Sequence, residues 1–162
     1  FDCGSGFGLL QAEAALGASL QPPQAPPSLP PAGCFVTPLP PPPVLCNGLP
    51  ATIVGDSDGN AIFGTPGNDV IHGLAGNDTI AGLDGNDVIC GGPGRDRLSG
   101  NRGNDKLFGD AGNDLLKGGA GRDRLFGQRG RDTMDAQSGT DRCDGGSGAD
   151  KAARCEMTTR VP

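Results

Sequence analysis

One apolar side chain recurs every nine residues through the second half of the chain: Ile71, Ile80, Ile89, Leu98, Leu107, Leu116, Leu125 and Met134, weakening to Cys143 and Ala152. An α-helix repeats every 3.6 residues and an amphipathic strand every second residue, so neither explains that interval. Between the apolar slots the residues are small or polar, with glycines at fixed offsets (Gly67, Gly76, Gly85, Gly94, Gly103, Gly112, Gly121, Gly130, Gly139 and Gly148). Including an aspartate two residues after each of these glycines, the unit reads G-x-x-G-x-D-x-U-x, with U apolar. Its last three residues predict a short strand with one inward side chain. Its first six predict a tight turn, in which the first and fourth glycines are expected to supply positive φ. One turn and one strand make half a coil, so eighteen residues complete a coil. The predicted fold is all-β: a parallel β-roll, or β-helix solenoid.

The aspartates are Asp69, Asp78, Asp87, Asp96, Asp105, Asp114, Asp123, Asp132, Asp141 and Asp150. The unit that carries them resembles the calcium-binding nonapeptide repeat of RTX (hemolysin-type) proteins, which implies that these ten residues are metal ligands and that Ca²⁺ is the cofactor. Elementary electrostatics points the same way. Residues eighteen apart stack at the inter-strand spacing of about 4.8 Å, giving one column at Asp69, Asp87, Asp105, Asp123 and Asp141 and a second through the other five. Bare carboxylates at that spacing repel by about 1 kcal/mol in water and about 3 to 4 kcal/mol at an effective dielectric near 20. Ca²⁺ takes six to eight oxygens and accepts mixed carboxylate and carbonyl ligands, whereas Mg²⁺ demands stricter octahedral geometry. Pairs eighteen apart predict up to about eight ions. A single Gly-Asn-Asp stretch would be ordinary turn chemistry, but eight complete units in phase are not.

Composition strengthens the case for a metal-coupled fold. With 30 Gly, 15 Pro, no Trp or Tyr and 35% hydrophobic residues, the chain lacks a core of normal size. Folding is expected to depend on ion binding. The net charge of −6 points to cations as partners and away from nucleic acid. No apolar run is long enough to insert into a membrane.

The frame sets the expected boundaries. The roll spans 55–153, beginning with a degenerate unit in which Asp58 replaces the second glycine, Asn60 replaces the aspartate and Ile62 keeps the inward slot. Residues 44–54 are expected to cap its N-terminal end and 154–162 its C-terminal end, because a solenoid must close its exposed ends. The run Asp56-Ser57-Asp58-Gly59 starts like an EF-hand loop, but its glycine comes too early and no glutamate follows at the twelfth place.

Six cysteines suggest an oxidising, extracellular setting. Cys143 holds an inward slot and Cys155 lies just past the frame, so a bridge between them would seal the C-terminal coil. Cys90 faces outward beside Val70, His72, Val88, Phe108 and Phe126, an apolar strip that something should cover. The segment carrying Cys46 is the nearest candidate, which favours Cys46 with Cys90 and leaves Cys3 with Cys34. Cys34 with Cys46 is the alternative.

Upstream, residues 21–43 hold eleven prolines and read as a semi-rigid linker. Residues 1–20 contain a short helix in LLQAEAAL. The run Gly6-Phe7-Gly8-Leu9-Leu10-Gln11-Ala12-Glu13-Ala14-Ala15-Leu16 resembles the C-terminal end of the catalytic domain in subtilisin-like serine proteases. That resemblance implies an upstream protease domain whose triad lies before Phe1. Ser5 lacks the glycine of a nucleophile elbow, and His72 on an outer strand face is expected to pack rather than to catalyse. A chain that starts with Phe reads as processed or truncated.

The reading is therefore a secreted bacterial calcium-binding module, exported through an ordinary signal peptide, without catalysis of its own, that folds on Ca²⁺ and stabilises an extracellular protease. The alternative is a non-enzymatic surface or matrix protein that uses the roll as a scaffold.

Overall fold

The computed structural model describes residues 40–159. The expected helix, the protease resemblance, the Cys3–Cys34 pairing and all of the proline linker but residues 40–43 lie outside these residues. Fifteen strands follow one another: β1 (Leu45–Cys46), β2 (Leu49–Pro50), β3 (Ile53–Val54), β4 (Ala61–Phe63), β5 (Val70–His72), β6 (Thr79–Asp84), β7 (Val88–Pro93), β8 (Arg97–Arg102), β9 (Lys106–Ala111), β10 (Leu115–Gly121), β11 (Arg124–Phe126), β12 (Thr133–Gly139), β13 (Arg142–Asp144), β14 (Lys151–Ala153) and β15 (Glu156–Thr159). From β3 onward the odd strands form one parallel sheet and the even strands another, so the chain alternates between two sheets and advances one strand in each per coil. This is the predicted β-roll. No helix among the described residues is long and apolar enough to cross a membrane.

The register is the eighteen-residue step: Ile71 pairs with Ile89, Ile89 with Leu107, and Leu107 with Leu125, while Ile80, Leu98, Leu116 and Met134 stack in the other sheet. These side chains are buried, and together with Ile62, Ala136 and Cys143 they form one continuous core between the sheets. Each apolar side chain therefore packs against its own counterpart in the coils before and after.

Several strands are longer than the three residues expected. β6 to β9 run six residues each because hydrogen bonding continues through the first glycine into the next turn. The glycine roles also differ from expectation. The fourth glycine takes positive φ, as at Gly103 (132°), but the other left-handed position is the second residue of the unit: Leu74, Leu83, Asn101, Asp110, Gln128 and Gln137 all have φ between 69° and 82°. Such residues are uncommon there and are held by the surrounding ladder.

Both ends are closed. At the N-terminus, β1 and β2 form a small antiparallel hairpin. Cys46 bridges to Cys90 with the Cα atoms 5.7 Å apart, and the hairpin covers Val88 and Phe108, so the apolar strip is buried by the segment expected to bury it. At the C-terminus, the coil does not stop at residue 153. β15 adds a parallel strand beside β13, pairing Arg142 with Glu156 at a fourteen-residue offset in place of eighteen. A bridge from Cys143 to Cys155, with Cα atoms 5.9 Å apart, takes up the shortened connection.

Candidate metal centre

The ten predicted aspartates are all buried, and the fold gathers them into two columns of five. Each turn tucks its aspartate inward, while the residues on either side of it face out. Within one column the backbone N–H of Asp69 donates to Oδ1 of Asp87 (2.9 Å), that of Asp87 to Asp105 (2.8 Å), that of Asp105 to Asp123 (2.9 Å) and that of Asp123 to Asp141 (2.8 Å). The other column repeats the pattern from Asp78 through Asp96, Asp114 and Asp132 to Asp150, at 2.8 to 2.9 Å. The Asn60 N–H donates to Asp78 Oδ1 in the same way (2.7 Å), so in every one of these aspartates except Asp69 one carboxylate oxygen bonds the coil before it.

The second oxygen has no such partner. Oδ2 of Asp78, Asp87, Asp96, Asp105, Asp114, Asp123, Asp132, Asp141 and Asp150 is buried without a hydrogen bond. In Asp69 alone of the ten, Oδ2 accepts from the backbone N–H (2.6 Å) and the hydroxyl (3.0 Å) of Thr65. A buried acceptor left unpaired costs about 1 to 3 kcal/mol, and more when it is charged. A cation lying between the coils would supply the partner that these nine oxygens lack.

The space they face is defined by the first glycine of each unit. A Cβ on Gly109 would stand 2.6 Å from Asp114 Oδ2 and 2.9 Å from the Gly127 carbonyl oxygen, and one on Gly118 would stand 2.5 Å from Asp123 Oδ2 and 2.8 Å from the Ala136 carbonyl oxygen. A carboxylate oxygen and a carbonyl oxygen from the next coil converge on the volume a methyl group would fill. The first glycine is therefore needed for close approach and not for positive φ.

Electrostatics supports this placement. Burial pushes Asp96 and Asp105 up to about 6 and Asp114 up to about 7, opposed by the N–H donated to each and reinforced by neighbouring carboxylates. Asp87, Asp123 and Asp132 are raised for the same leading reason. Desolvation is thus the leading cause, ahead of the repulsion between carboxylates one coil apart.

These donors fit a hard cation. All are oxygens, and among the described residues no three His, Cys, Asp or Glu side chains gather in one place, so an ion held here would draw on backbone carbonyls as well as carboxylates. His72 is not a ligand candidate: its Nδ1 accepts from the Leu74 N–H (3.0 Å) at the flank of the apolar strip.

Sequence reasoning missed a second ladder. At the fifth place of the unit, the side-chain oxygens of Asn68, Asn77, Asn86, Asn104 and Asn113 each accept the backbone N–H eighteen residues on, at 2.7 to 2.8 Å. The nine-residue recurrence of asparagine was the available signal.

No curated protein and no solved structure matches the chain. The family model described as the RTX calcium-binding nonapeptide repeat (4 copies) does match, at residues 54–89, 91–125 and 117–152, which is more than half of the chain. A nine-residue frame, two columns of inward aspartates with their second oxygens unpaired, and that match lead to one conclusion: this chain belongs to the RTX calcium-binding nonapeptide-repeat family.

Proposed function

We propose that Asp69, Asp78, Asp87, Asp96, Asp105, Asp114, Asp123, Asp132, Asp141 and Asp150 hold up to about eight Ca²⁺ ions between successive turns, and that folding of the roll depends on them. The nine buried, unpaired Oδ2 atoms carry this reading. Ca²⁺ supplies the positive charge that offsets the cost of burying the carboxylates. The chain's own residues do the rest: in every ladder aspartate except Asp69, Oδ1 fixes the carboxylate against the preceding coil, Oδ2 and the carbonyl of the next coil present oxygens, and the first glycine leaves room. The module serves a secreted bacterial protein as a stabilising C-terminal element without catalysis of its own. Its upstream partner is a subtilisin-like protease, by resemblance of residues 6–16.

Circular dichroism of the full chain tests the reading. With chelator the β signal is expected to be largely lost, and with millimolar Ca²⁺ to return cooperatively. Superimposable spectra in the two conditions would refute calcium-dependent folding. The alternative, a surface or matrix-binding protein, gains support from one observation only, the charge on the outer face of the odd-strand sheet.

A further inference from the structure

The first coil is built differently from the rest. From Leu74 and Gly76 onward the second and fourth residues of every unit have positive φ, but in the two opening units, 55–63 and 64–72, neither residue does. There the second residue turns its N–H onto the side chain of the sixth. The Asp56 N–H donates to Asn60 Oδ1 (2.8 Å), and the Thr65 N–H to Asp69 Oδ2 (2.6 Å), joined by the Thr65 hydroxyl (3.0 Å). The second side chain in turn accepts the N–H of the fourth residue, Asp58 onto Asp56 Oδ1 (2.8 Å) and Gly67 onto Thr65 Oγ1 (3.2 Å). At Gly76, Gly85, Gly94, Gly103, Gly112 and Gly130 the fourth N–H instead reaches a carbonyl of the next coil. The opening turns therefore close on their own side chains, whereas the later ones lean on a neighbour.

The same bonds take the place an ion would hold. A Cβ on Gly55 would meet Asn60 Oδ1 and the Gly73 carbonyl oxygen, and one on Gly64 would meet Asp69 Oδ2 and the Gly82 carbonyl oxygen, so both opening units repeat the cradle of the later ones. In them the side-chain oxygen is already occupied by N–H donors, and Asn60 brings no charge. We infer that the first coil, residues 52–72, takes no calcium and stays folded without it, as a preformed end on which the calcium-dependent coils build. Ile53, Ile62 and Ile71 pack at its centre. The Thr52 hydroxyl bonds both the N–H and the carbonyl of Val70 (3.1 Å each), which satisfies a strand edge that no earlier coil covers. The bridge from Cys46 to Cys90, the residue paired with His72, clamps the hairpin beside β5. In a one-dimensional stack the opening unit forms with no neighbour, whereas each later unit gains an interface. An ion shared between two coils needs both of them, so a coil that is already folded leaves the first ion only one to order. The inference rests on the calcium reading for the coils from residue 73 onward.

The test is amide hydrogen exchange of the full, disulfide-bonded chain, read residue by residue by NMR. The N–H groups of Gly55, Asp56, Thr65 and Val70 all donate to acceptors within residues 52–72. In chelator they are expected to exchange about tenfold or more slower than those of Arg97, Lys106 and Leu115 in the middle coils, and in millimolar Ca²⁺ both sets are expected to be protected. Asn60→Asp removes the Nδ2 donor to Asp56 (3.0 Å) and sets a carboxylate against Asp56 and at the head of the Asp78 column. It should erase the difference in chelator and leave the middle coils unchanged in Ca²⁺. First-coil protection that survives Asn60→Asp would overturn the inference, because the side-chain bonds would not be what holds the coil. The two readings fail separately. A chain whose two sets both exchange fast in chelator and are both protected in Ca²⁺ defeats this inference alone, whereas one whose two sets are both protected in chelator defeats the calcium reading beneath it.

Discussion

The backbone N–H of Asp105 donates to Oδ1 of Asp123, 2.9 Å away and one full coil further along the chain, while Asp105 itself receives the N–H of Asp87 at 2.8 Å. An interior aspartate is therefore both a candidate ligand and a rivet between three coils. Asp150, at the end of its column, receives one such bond from Asp132. Each alanine variant strands one N–H, that of Asp87 or of Asp132, at a cost of about 1 to 3 kcal/mol. Asp105→Ala should nevertheless raise the calcium midpoint more than Asp150→Ala, because Asp105 has column neighbours on both sides, Asp87 and Asp123, and so can serve two ions, whereas Asp150 has only Asp132. Equal midpoints in parallel titrations would contradict ion sharing along the column.

Acid should help the calcium-free roll. Asp96, Asp105 and Asp114 are raised to about 6, 6 and 7 by burial, above an ordinary carboxylate near 4. A raised acid favours the folded state where it is protonated, so this contribution is fully present below about pH 4 and is lost as pH rises through 6 to 7. In chelator, β signal should be greater at pH 4 than at pH 7.5. With calcium the sign reverses, because protons compete for the same oxygens and the midpoint should rise as pH falls below 6. Loss of β signal on acidifying the chelated protein would count against the buried-carboxylate account.

Filling the cradle should weaken binding directly. Gly109 has no positive φ, so Gly109→Ala adds only a methyl group, 2.6 Å from Asp114 Oδ2. The calcium midpoint should rise. Ala136 stands where the other units have this glycine and is fully buried five residues before Asp141. Ala136→Gly should therefore lower the midpoint, and unchanged values in both variants would mean that the first position does not face the ion.

Reducing the Cys143–Cys155 bridge should loosen the C-terminal coil first. It closes a twelve-residue separation and joins β13 to the segment leading into β15. A loop of that length contributes about 2 to 4 kcal/mol. Hydrogen exchange after reduction should accelerate from residue 136 onward while β8 to β10 stay protected in Ca²⁺. Uniform acceleration would show that the end is not held locally.

Features written in side-chain identity could be read before any coordinates. Asp105 and Leu107 recur with their kind at a fixed interval, and both the core and the ladder follow from that interval. Backbone roles left no such trace. The left-handed second position is filled by Leu74, Asn101, Asp110 and Gln128 in turn, residue types that share nothing a pattern could reveal. The purpose of the first glycine was misread because its constraint is a contact with a residue five places on, not a torsion angle. β15 was invisible because it joins the sheet at an offset of fourteen, out of step with every repeat before it. Cys46 with Cys90 could be inferred from an outward apolar strip needing cover, which is a statement about surface rather than periodicity.

That bridge also decides how the roll bears load. Cys46 and Cys90 are 44 residues apart in sequence, and the loop between them contains β3 to β6. A pull applied at Pro40 reaches Cys46 and crosses to β7, so the first coils are bypassed and cannot be unwound one after another from that end. Force enters two coils inside the stack, across the ladder of backbone bonds that β7 makes with β9. Whatever is tethered ahead of Pro40 is thus anchored to the interior of the solenoid rather than to its fraying edge, and a reductant would convert that anchor into a zipper.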